Sequence, residues 1–274
     1  MLKEYRQSLH THTSYCDGKD DPEEMILEAI RQGFDTIGFS GHSPMYFAPS
    51  IGMSAEGMEQ YKKEIDMLRE KYRNQIRVLC GLEFEMYSDC RADGFDYVIG
   101  SCHYLKIRDE IVGIDRDART VAGVINKYFQ GNGIAYARAY YEELSHLHEY
   151  GNFDIVGHFD LLTKHCEKFQ FFDMDSKEYR NAALECLHEV ARHFRVFEVN
   201  TGAIARGYRT MPYPAPFILK EMKALNCSVV LTSDCHDKRF LNCGYKDSLA
   251  FIKDCGFEEV LVMTDDGWKG TKLT

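Results

Sequence analysis

The sequence predicts an α/β fold in which parallel strands close into a barrel and residues 1–274 form a single domain. Short apolar, β-branched segments recur along the chain, and stretches of helical periodicity lie between several of them, an alternation typical of parallel sheets. No Pro- or Ser-rich linker, low-complexity tract or internal repeat divides the chain. The length of 274 residues also agrees with a barrel, since α/β barrels commonly run to about 250 residues.

Eight short segments are predicted to be strands. Most are continuous apolar runs, the pattern of strands that are buried on both faces of a sheet. The predicted strands are residues 7–9, 36–39, 76–82, 97–99, 155–156, 196–199, 229–231 and 259–262. With helices as connections, such strands lie parallel in one sheet.

The first predicted helix has both of its ends marked in the sequence. Asp21 is the predicted N-cap, and the proline that follows it takes the first helical position. Glu24, three residues after Asp21, is the acid of a capping box. The helix is therefore expected to run from about Pro22 to Gln32 and to end at Gly33.

Two later stretches have helical periodicity, and a third segment is irregular. The periodic apolar residues are Met58, Tyr61, Ile65, Leu68 and Tyr72 in one stretch and Ala183, Leu187, Val190 and Ala191 in the other. The segment 111–150 contains the break Gly131-Asn132-Gly133 and is predicted to be a helical crossover or an active-site lid.

The charge and the first residues narrow the class of protein. Lys and Arg total 33 against 43 for Asp and Glu, a net charge of -10, which argues against a nucleic-acid or anionic-membrane partner. No apolar run approaches the roughly 18 residues of a membrane span. Residues 1–6 lack the apolar stretch of a signal peptide. We therefore expect a cytoplasmic protein.

The 10 cysteines are predicted to be reduced, because they are scattered through a large chain without a signal sequence and no two are spaced as Cys-x-x-Cys. Cys102 and Arg108 do fit Cys-x5-Arg, the spacing of cysteine-dependent phosphatases, and Cys186 and Arg192 fit it as well. Neither segment has the glycines that a phosphate cradle needs. A cysteine phosphatase is therefore an alternative with little support.

Six of the 11 histidines lie at the ends of predicted strands. In a parallel α/β barrel the carboxyl ends of all strands lie on one face, where catalytic residues collect. The strand-end segments are His10-Thr11-His12, Gly41-His42, Gly81-Leu82-Glu83, Ser101-Cys102-His103, Gly157-His158-Phe159-Asp160, Glu198-Val199-Asn200 and Ser233-Asp234-Cys235-His236.

These residue types suit metal binding. Side chains two apart in an extended segment point the same way, so His10 and His12 can share one ion. Imidazoles with the carboxylates of Asp17, Glu83 and Asp234, and no thiolate, suit Zn, Mn, Fe or Co. The set is too large for a single ion. The histidines outside it are expected to be surface or structural residues.

On these motifs, with Asp17-Gly18, the chain resembles the PHP family, the polymerase and histidinol phosphatase class of metal-dependent phosphoesterases. Gly157-His158-Phe159-Asp160-Leu161 and Glu198-Val199-Asn200-Thr201 look like the stand-alone histidinol-phosphatase branch. The resemblance implies a distorted, TIM-like (βα)7 barrel. It also implies hydrolysis of L-histidinol phosphate in histidine biosynthesis.

The same resemblance implies three divalent metal ions, of Zn, Fe or Mn, held by nine residues. Glu83 would bridge the first two ions. The implied ligands are His10, His12, Glu83 and Asp234 for the first ion, Glu83, His103 and His158 for the second, and Asp17, His42 and His236 for the third. Some branches carry His at the position of Asp17, and a carboxylate there would alter the affinity or identity of the third metal.

The expected chemistry is in-line attack on phosphorus by a hydroxide held between two ions, because bound water acidifies toward a pKa of roughly 7. The leaving alkoxide needs a proton or a neutralising charge. His236 and Asp160 are the predicted catalytic residues that would donate the proton.

Several residues are predicted to bind substrate. Arg206 and Arg209 would give forked contacts to the phosphate oxygens. Glu198, or Asp160, would pair with the amine of histidinol phosphate. The aromatic pair Tyr46-Phe47 would lie beside its imidazole.

Three alternatives remain open. The substrate could instead be another small phosphomonoester or nucleotide, or the protein could be a phosphotyrosine phosphatase. A non-catalytic, metal-stabilised domain would have lost ligands, whereas the full set is present here. The positive charge of three divalent ions would exceed the negative charge of the three ligand carboxylates. A small phosphate ester therefore remains the expected partner despite the negative net charge of the chain. The oligomeric state is not predicted.

Overall fold

The computed structural model describes residues 5–273, which contain eleven strands and eight α-helices. The strands are β1 (Gln7–Ser8), β2 (Thr36–Phe39), β3 (Arg77–Glu85), β4 (Tyr97–Ser101), β5 (Tyr104–Ile107), β6 (Glu110–Gly113), β7 (Ile155–Val156), β8 (Val196–Asn200), β9 (Ser228–Thr232), β10 (Glu259–Thr264) and β11 (Gly267–Lys272). The helices are α1 (Pro22–Gln32), α2 (Ala55–Tyr72), α3 (Ala118–Phe129), α4 (Gly133–Ser145), α5 (Lys177–His193), α6 (Gly202–Ala205), α7 (Pro216–Ala224) and α8 (Tyr245–Asp254). Short 3-10 turns lie at Leu147–Glu149, Leu161–Thr163 and Lys238–Phe240.

Seven strands form one parallel sheet in the order β1-β2-β3-β4-β7-β8-β9. The chain after β1 reaches the chain after β9: the amide of His12 donates to the carbonyl of Cys235 at 2.9 Å, and the amide of Cys235 donates to the carbonyl of His10 at 3.2 Å. These bonds bring the two edges of the sheet together, so the sheet is a nearly closed barrel. The predicted single-domain α/β barrel is confirmed.

The barrel interior below the strand ends is apolar. Its buried side chains are Leu9, Leu79, Tyr97, Ile99, Ile155 and Val230. Tyr97 is the largest of them, and its hydroxyl donates to the carbonyls of Leu9 at 2.5 Å and Phe39 at 3.1 Å. Gly81 leaves room for this ring, since a Cβ there would lie 2.3 Å from it. Close packing of Tyr97 thus explains the glycine two residues before Glu83.

The eighth predicted strand is a strand, but it lies outside the barrel sheet. It forms β10, which pairs antiparallel with β11. The hairpin is bonded to the barrel where the amide of Met263 donates to Gln7 at 2.9 Å and Arg77 donates to the carbonyl of Met263 at 2.5 Å. Leu261, Met263 and Trp268 pack against the interior cluster. The hairpin therefore covers the end of the barrel opposite the motif-bearing strand ends.

The predicted helices are confirmed. The amide of Asp21 donates to Glu24 at 3.4 Å before α1, and Gly33 ends this helix in the left-handed region at φ 79°. The periodic apolar residues of α2 and α5 are buried. The irregular segment 111–150 holds α3 and α4, separated at the Gly131-Asn132-Gly133 break as expected. The antiparallel hairpin of β5 and β6, which overlaps the start of this segment, was not predicted. No helix within residues 5–273 is long and apolar enough to cross a membrane.

Candidate metal centre and active site

The nine predicted metal ligands lie together at the carboxyl end of the barrel. All come from β3 or from the segments that directly follow β1, β2, β4, β7 and β9, so the parallel sheet itself brings them together. They are His10, His12, Asp17, His42, Glu83, His103, His158, Asp234 and His236. Asp234 has a left-handed backbone, with φ 46°, a conformation that Asp tolerates better than most residues.

Glu83 is buried at the centre of the cluster, and one of its oxygens faces three histidines. Oε2 lies 3.2 Å from Nε2 of His10, 3.4 Å from Nε2 of His12 and 2.9 Å from Nδ1 of His42. The three imidazoles follow β1 and β2, so strand-end residues from the β2 side of β3 converge on this oxygen.

The other oxygen of Glu83 faces the opposite part of the cluster. Oε1 lies 3.4 Å from Nε2 of His103 and 2.9 Å from Nε2 of His158, and it accepts a hydrogen bond from the hydroxyl of Ser101 at 2.8 Å. One carboxylate thus lies between two sets of imidazoles, which is the position that a bridging ligand requires.

Asp234 and Asp17 lie beside the other histidines of the cluster. Oδ1 of Asp234 is 3.3 Å from Nε2 of His12 and 3.4 Å from Nδ1 of His236. Oδ1 of Asp17 is 3.3 Å from Nε2 of His236, 3.5 Å from Nδ1 of His12 and 3.7 Å from Nε2 of His42. Both nitrogens of His12 therefore face a carboxylate.

The donor atoms fit divalent ions better than they fit one another. Nε2 of His10, Nε2 of His12, Nδ1 of His42 and Oε2 of Glu83 are buried and make no hydrogen bond within the described residues, although they approach to 2.9–3.4 Å. Tetrahedral ligands at about 2.0–2.1 Å from a zinc ion are separated by about 3.3 Å. Spacing of this kind without hydrogen-bond geometry is expected of ligands arranged around ions.

The donors form four overlapping groups, each compact enough for one ion. The groups are His12, Asp17, His42 and His236; His10, His12 and Asp234; His10, Glu83 and His158; and His42, Glu83 and His103. The first group adds His12 to the set expected for the third metal. His103 and His158, expected to share the second ion, fall in different groups: His158 lies with His10 and Glu83, and His103 lies with His42 and Glu83.

Glu198 lies behind the cluster rather than in the substrate cavity. It is fully buried, and its Oε1 lies 2.5 Å from Nδ1 of His10 and 2.5 Å from the hydroxyl of Thr232. Its Oε2 accepts from the amide of His158 at 2.7 Å and from Asn200 at 2.9 Å. The structure does not bring Glu198 to the cavity in which the substrate amine is predicted to lie, because β8 directs this side chain into the barrel.

A second buried carboxylate, Glu85, was not predicted. Its Oε2 accepts from the amide of His103 at 2.9 Å and lies 3.0 Å from Nδ1 of the same residue. Accepting from Nδ1 leaves Nε2 of His103 free to face Glu83. Glu85 is two positions from Glu83 on β3, so strand alternation already places the two acids on one face.

Of the two arginines predicted to contact phosphate, only Arg206 faces the cavity. One of its guanidinium nitrogens is 3.0 Å from Oδ2 of Asp234 and another is 2.9 Å from Nδ1 of His236. A Cβ at Gly202 would lie 2.9 Å from this guanidinium, so the glycine gives it room. Arg206 keeps 31% of its side chain exposed, enough to meet a ligand beside the metal cluster.

Arg209 and Asp160 are buried together away from the cavity. Arg209 donates to the hydroxyl of Thr163, lies over the ring of Tyr213 at 4.4 Å and approaches Oδ2 of Asp160 at 3.9 Å. The same oxygen of Asp160 accepts from the amide of Ala215 at 3.0 Å. Asp160 is fully buried and neither side chain lines the cavity, so the structure does not bring the predicted proton donor Asp160 or the predicted phosphate ligand Arg209 to the site.

A cavity of about 310 Å³ opens over the metal-binding cluster. Beyond the ligands and Arg206, its wall is formed by Met45, Ile51, Tyr104, Asp115, Arg116, Asp117, Leu161, Lys164 and Tyr208. Tyr46 and Phe47, the predicted imidazole neighbours, do not line it. Tyr46 is 70% exposed, and Phe47 packs behind Tyr104 with ring centroids 4.9 Å apart.

Comparison with known proteins identifies the family. The family model of the PHP domain matches residues 8–202. The chain belongs to the PHP domain family. The match spans six of the seven barrel strands and seven of the nine predicted ligands, and the predicted family resemblance is confirmed.

Two relatives and one solved structure match nearly the whole PHP chain. Histidinol-phosphatase from Bacillus subtilis is 25% identical over 271 residues, covering 90% of this chain and 98% of that protein. A protein of Schizosaccharomyces pombe named "Probable histidinol-phosphatase" is 24% identical over 295 residues, covering 96% and 90%. The crystal structure of histidinol phosphate phosphatase from Lactococcus lactis, complexed with Zn, L-histidinol and phosphate, has a TM-score of 0.72 at 22% identity and covers 96% of this chain and 98% of that one. The similarity to the Lactococcus lactis structure shows that the two proteins share a fold.

The structure of the PHP domain contradicts the cysteine-phosphatase alternative. Cys102 is 1% exposed, its thiol donates to the carbonyl of Tyr104 at 3.4 Å, and burial raises its pKa well above 9. Arg108 lies in the exposed turn between β5 and β6. Cys186 is buried in α5. A nucleophilic thiol needs a lowered pKa and access to substrate, and neither cysteine has them.

We expect Glu198→Gln to weaken metal binding by the PHP domain by about 10- to 100-fold, because a neutral amide orients the His10 imidazole less well than a carboxylate does. Competition with a chromogenic chelator measures the affinity. Glu189→Gln, a change of the same type at a half-buried position of α5 away from the cavity, is the matched control. Equal metal affinity in both variants would contradict a role for Glu198 behind His10.

Proposed function

We propose that this protein is a metal-dependent histidinol-phosphatase, which hydrolyses L-histidinol phosphate to L-histidinol and phosphate in histidine biosynthesis. The observation that carries the proposal is the convergence of six histidines and three carboxylates, with Arg206 beside them, at the base of one cavity. The two histidinol-phosphatase relatives align with 90% or more of the chain, which supports the substrate. Free thiols at all ten cysteines agree with the cytoplasm as the compartment.

The proposal includes three divalent ions of Zn, Fe or Mn, held by the nine clustered residues, with Glu83 between two of them. The two oxygens of Glu83 face separate sets of histidines, which supports the bridging role. When bound, such ions acidify a water that attacks phosphorus and neutralise charge on the leaving oxygen. His10 and His103 are oriented for these ions by the carboxylates of Glu198 and Glu85.

Arg206 is proposed to hold the phosphate of the substrate. Its guanidinium borders the cavity between Asp234 and His236, so phosphate oxygens placed near the metal cluster are within its reach. A planar guanidinium can donate to two phosphate oxygens at once. Of the two residues predicted to donate a proton, His236 and Asp160, only His236 borders the cavity. We propose it as the group nearest the leaving oxygen.

A phosphate-release assay tests the proposal. Purified protein would be supplied with L-histidinol phosphate, a nucleoside 5′-monophosphate, phosphotyrosine and p-nitrophenyl phosphate, each with and without a chelator. We expect the highest kcat/KM on L-histidinol phosphate, and loss of activity in chelator. A higher kcat/KM on another ester would overturn the substrate, and full activity in excess chelator with no retained metal would overturn the metal chemistry.

Metal binding is expected to release protons and to weaken as the pH falls. Burial lowers the pKa values of His10 and His42, but nearby carboxylates outweigh it: Glu198 and Glu83 hold the pKa of His10 well above 6.5, and Glu83 and Asp17 raise that of His42 to about 10. At neutral pH both imidazoles therefore carry protons that an ion must displace. Calorimetry in two buffers of different ionisation enthalpy counts these protons. Binding without proton release, and with constant affinity between about pH 6 and 8, would contradict this expectation.

A further inference from the structure

A short strap, residues 114–117, joins β6 to α3, and its last three residues line the cavity over the metal cluster. Four hydrogen bonds fix its backbone. Its first residue donates to the carbonyl of His103 at 2.9 Å and accepts from the hydroxyl of Tyr136 at 3.0 Å. The carbonyl of its second residue accepts from Lys164 at 2.7 Å, and the carbonyl of its third residue lies 2.5 Å from Nε2 of His165. The strap therefore presents the side chains of residues 115–117 to the cavity from a fixed backbone.

Asp115 is the second residue of this strap. Nζ of Lys164 lies 3.1 Å from its Oδ2 and also 5.0 Å above the ring of Tyr208. Asp115 keeps 26% of its side chain exposed, against 15% for Lys164, so the carboxylate reaches further into the cavity than its partner. Burial would raise the pKa of Asp115, but Lys164 and the nearby His103 hold it at about 2. The group is a carboxylate at any physiological pH.

The other acids around the cavity are already engaged. Asp17, Glu83 and Asp234 face the histidines of the metal cluster. Asp117 is the N-cap of α3, and its carboxylate accepts from the amides of residues 119 and 120 and from the hydroxyl of Thr120. Asp115 differs from these acids: its carboxylate accepts from Lys164 at one oxygen. A carboxylate has about four lone-pair sites, so sites remain that can accept from a ligand.

We infer that Asp115 is a specificity-determining residue, which binds the ammonium group of an amino-alcohol phosphate whose phosphate lies at the metal cluster. This inference rests on the proposed function, because it assigns the two ends of that substrate to two groups of residues that line one cavity. Lys164 holds the carboxylate in place while the strap fixes its backbone, so the contact is formed before substrate arrives. A phosphomonoester without an amine makes no use of it.

The test compares two esters that differ only in the amine: L-histidinol phosphate and 3-(imidazol-4-yl)propyl phosphate. We expect Asp115→Asn to raise KM for L-histidinol phosphate by about tenfold or more, since the contact joins two charged groups. Asn keeps an oxygen for Lys164, so kcat/KM for the amine-free ester should stay within about twofold of wild type. Asp109→Asn, an exposed change in the adjacent hairpin turn, should leave both esters unaffected.

The outcomes separate this inference from the proposed function. An equal loss on both esters would show that Asp115 is structural, and an unchanged KM would show that it does not contact the amine, so either result overturns the inference while the phosphatase assignment stands. Equal hydrolysis of both esters by the wild-type protein would also overturn the inference and leave the phosphatase assignment standing. Wild-type protein that is inactive on L-histidinol phosphate but active on unrelated esters would overturn both.

Discussion

Glu83→Gln is expected to lower kcat on L-histidinol phosphate by at least about 1,000-fold and to reduce the metal content of the purified protein. The two oxygens of Glu83 lie within 3.4 Å of five imidazoles, so this one carboxylate belongs to both halves of the cluster. An amide has only one oxygen and no charge, and it cannot serve two ions in this position. Elemental analysis and steady-state kinetics measure the two effects.

Glu70→Gln is the matched control, since Glu70 lies on the exposed face of α2 and is 70% exposed. It should leave both metal content and kcat unchanged. A thermal melt of the metal-free proteins would show that Glu83→Gln still folds. Retention of full metal content and of more than about a tenth of wild-type kcat by Glu83→Gln would contradict a bridging role.

Arg206→Ala is expected to lower kcat/KM on L-histidinol phosphate by about 100- to 1,000-fold. The guanidinium borders the cavity and contacts Asp234 and His236, so its removal takes a positive charge from beside the expected phosphate position. Arg206→Lys keeps the charge but not the forked geometry, and it should recover only part of the loss.

A structural role for Arg206 would give a different result. If it served only to hold Asp234, the alanine variant would lose metal affinity, and inorganic phosphate would inhibit the residual activity as well as it inhibits wild type. We expect the reverse, with phosphate inhibition weakened and metal content kept. Unchanged kinetic constants for Arg206→Ala would remove the proposed contact with phosphate.

The barrel and its ligand cluster could be predicted because both follow from local patterns. Apolar runs identify the strands, and a residue that ends a parallel strand lies at one face of the barrel whatever the rest of the chain does. His42 and His158, far apart in sequence, could be placed together on that basis alone. Glu85 was within reach of the same reasoning, because it is two positions from Glu83 on β3.

The residues that surround the ligands were harder to predict, because tertiary contacts decide where they point. Glu198 also ends a strand, yet its side chain turns toward His10 inside the barrel. The sequence predicts proton donation by Asp160 and phosphate binding by Arg209, but the two side chains approach each other beneath the surface. Asp115 follows a hairpin that the sequence did not indicate. Its place in the cavity depends on its hydrogen bonds to Lys164 and on the backbone contacts of its neighbours in the strap.

The central claim is that the nine clustered residues bind ions that catalyse hydrolysis of L-histidinol phosphate. Metal-free protein, prepared by dialysis against chelator, would be titrated with Zn, Mn or Fe(II) while phosphate release is followed. We expect no activity at the start, a rise as ions bind, and saturation near three ions per chain by elemental analysis. Full phosphate release by protein that retains no metal would contradict the claim.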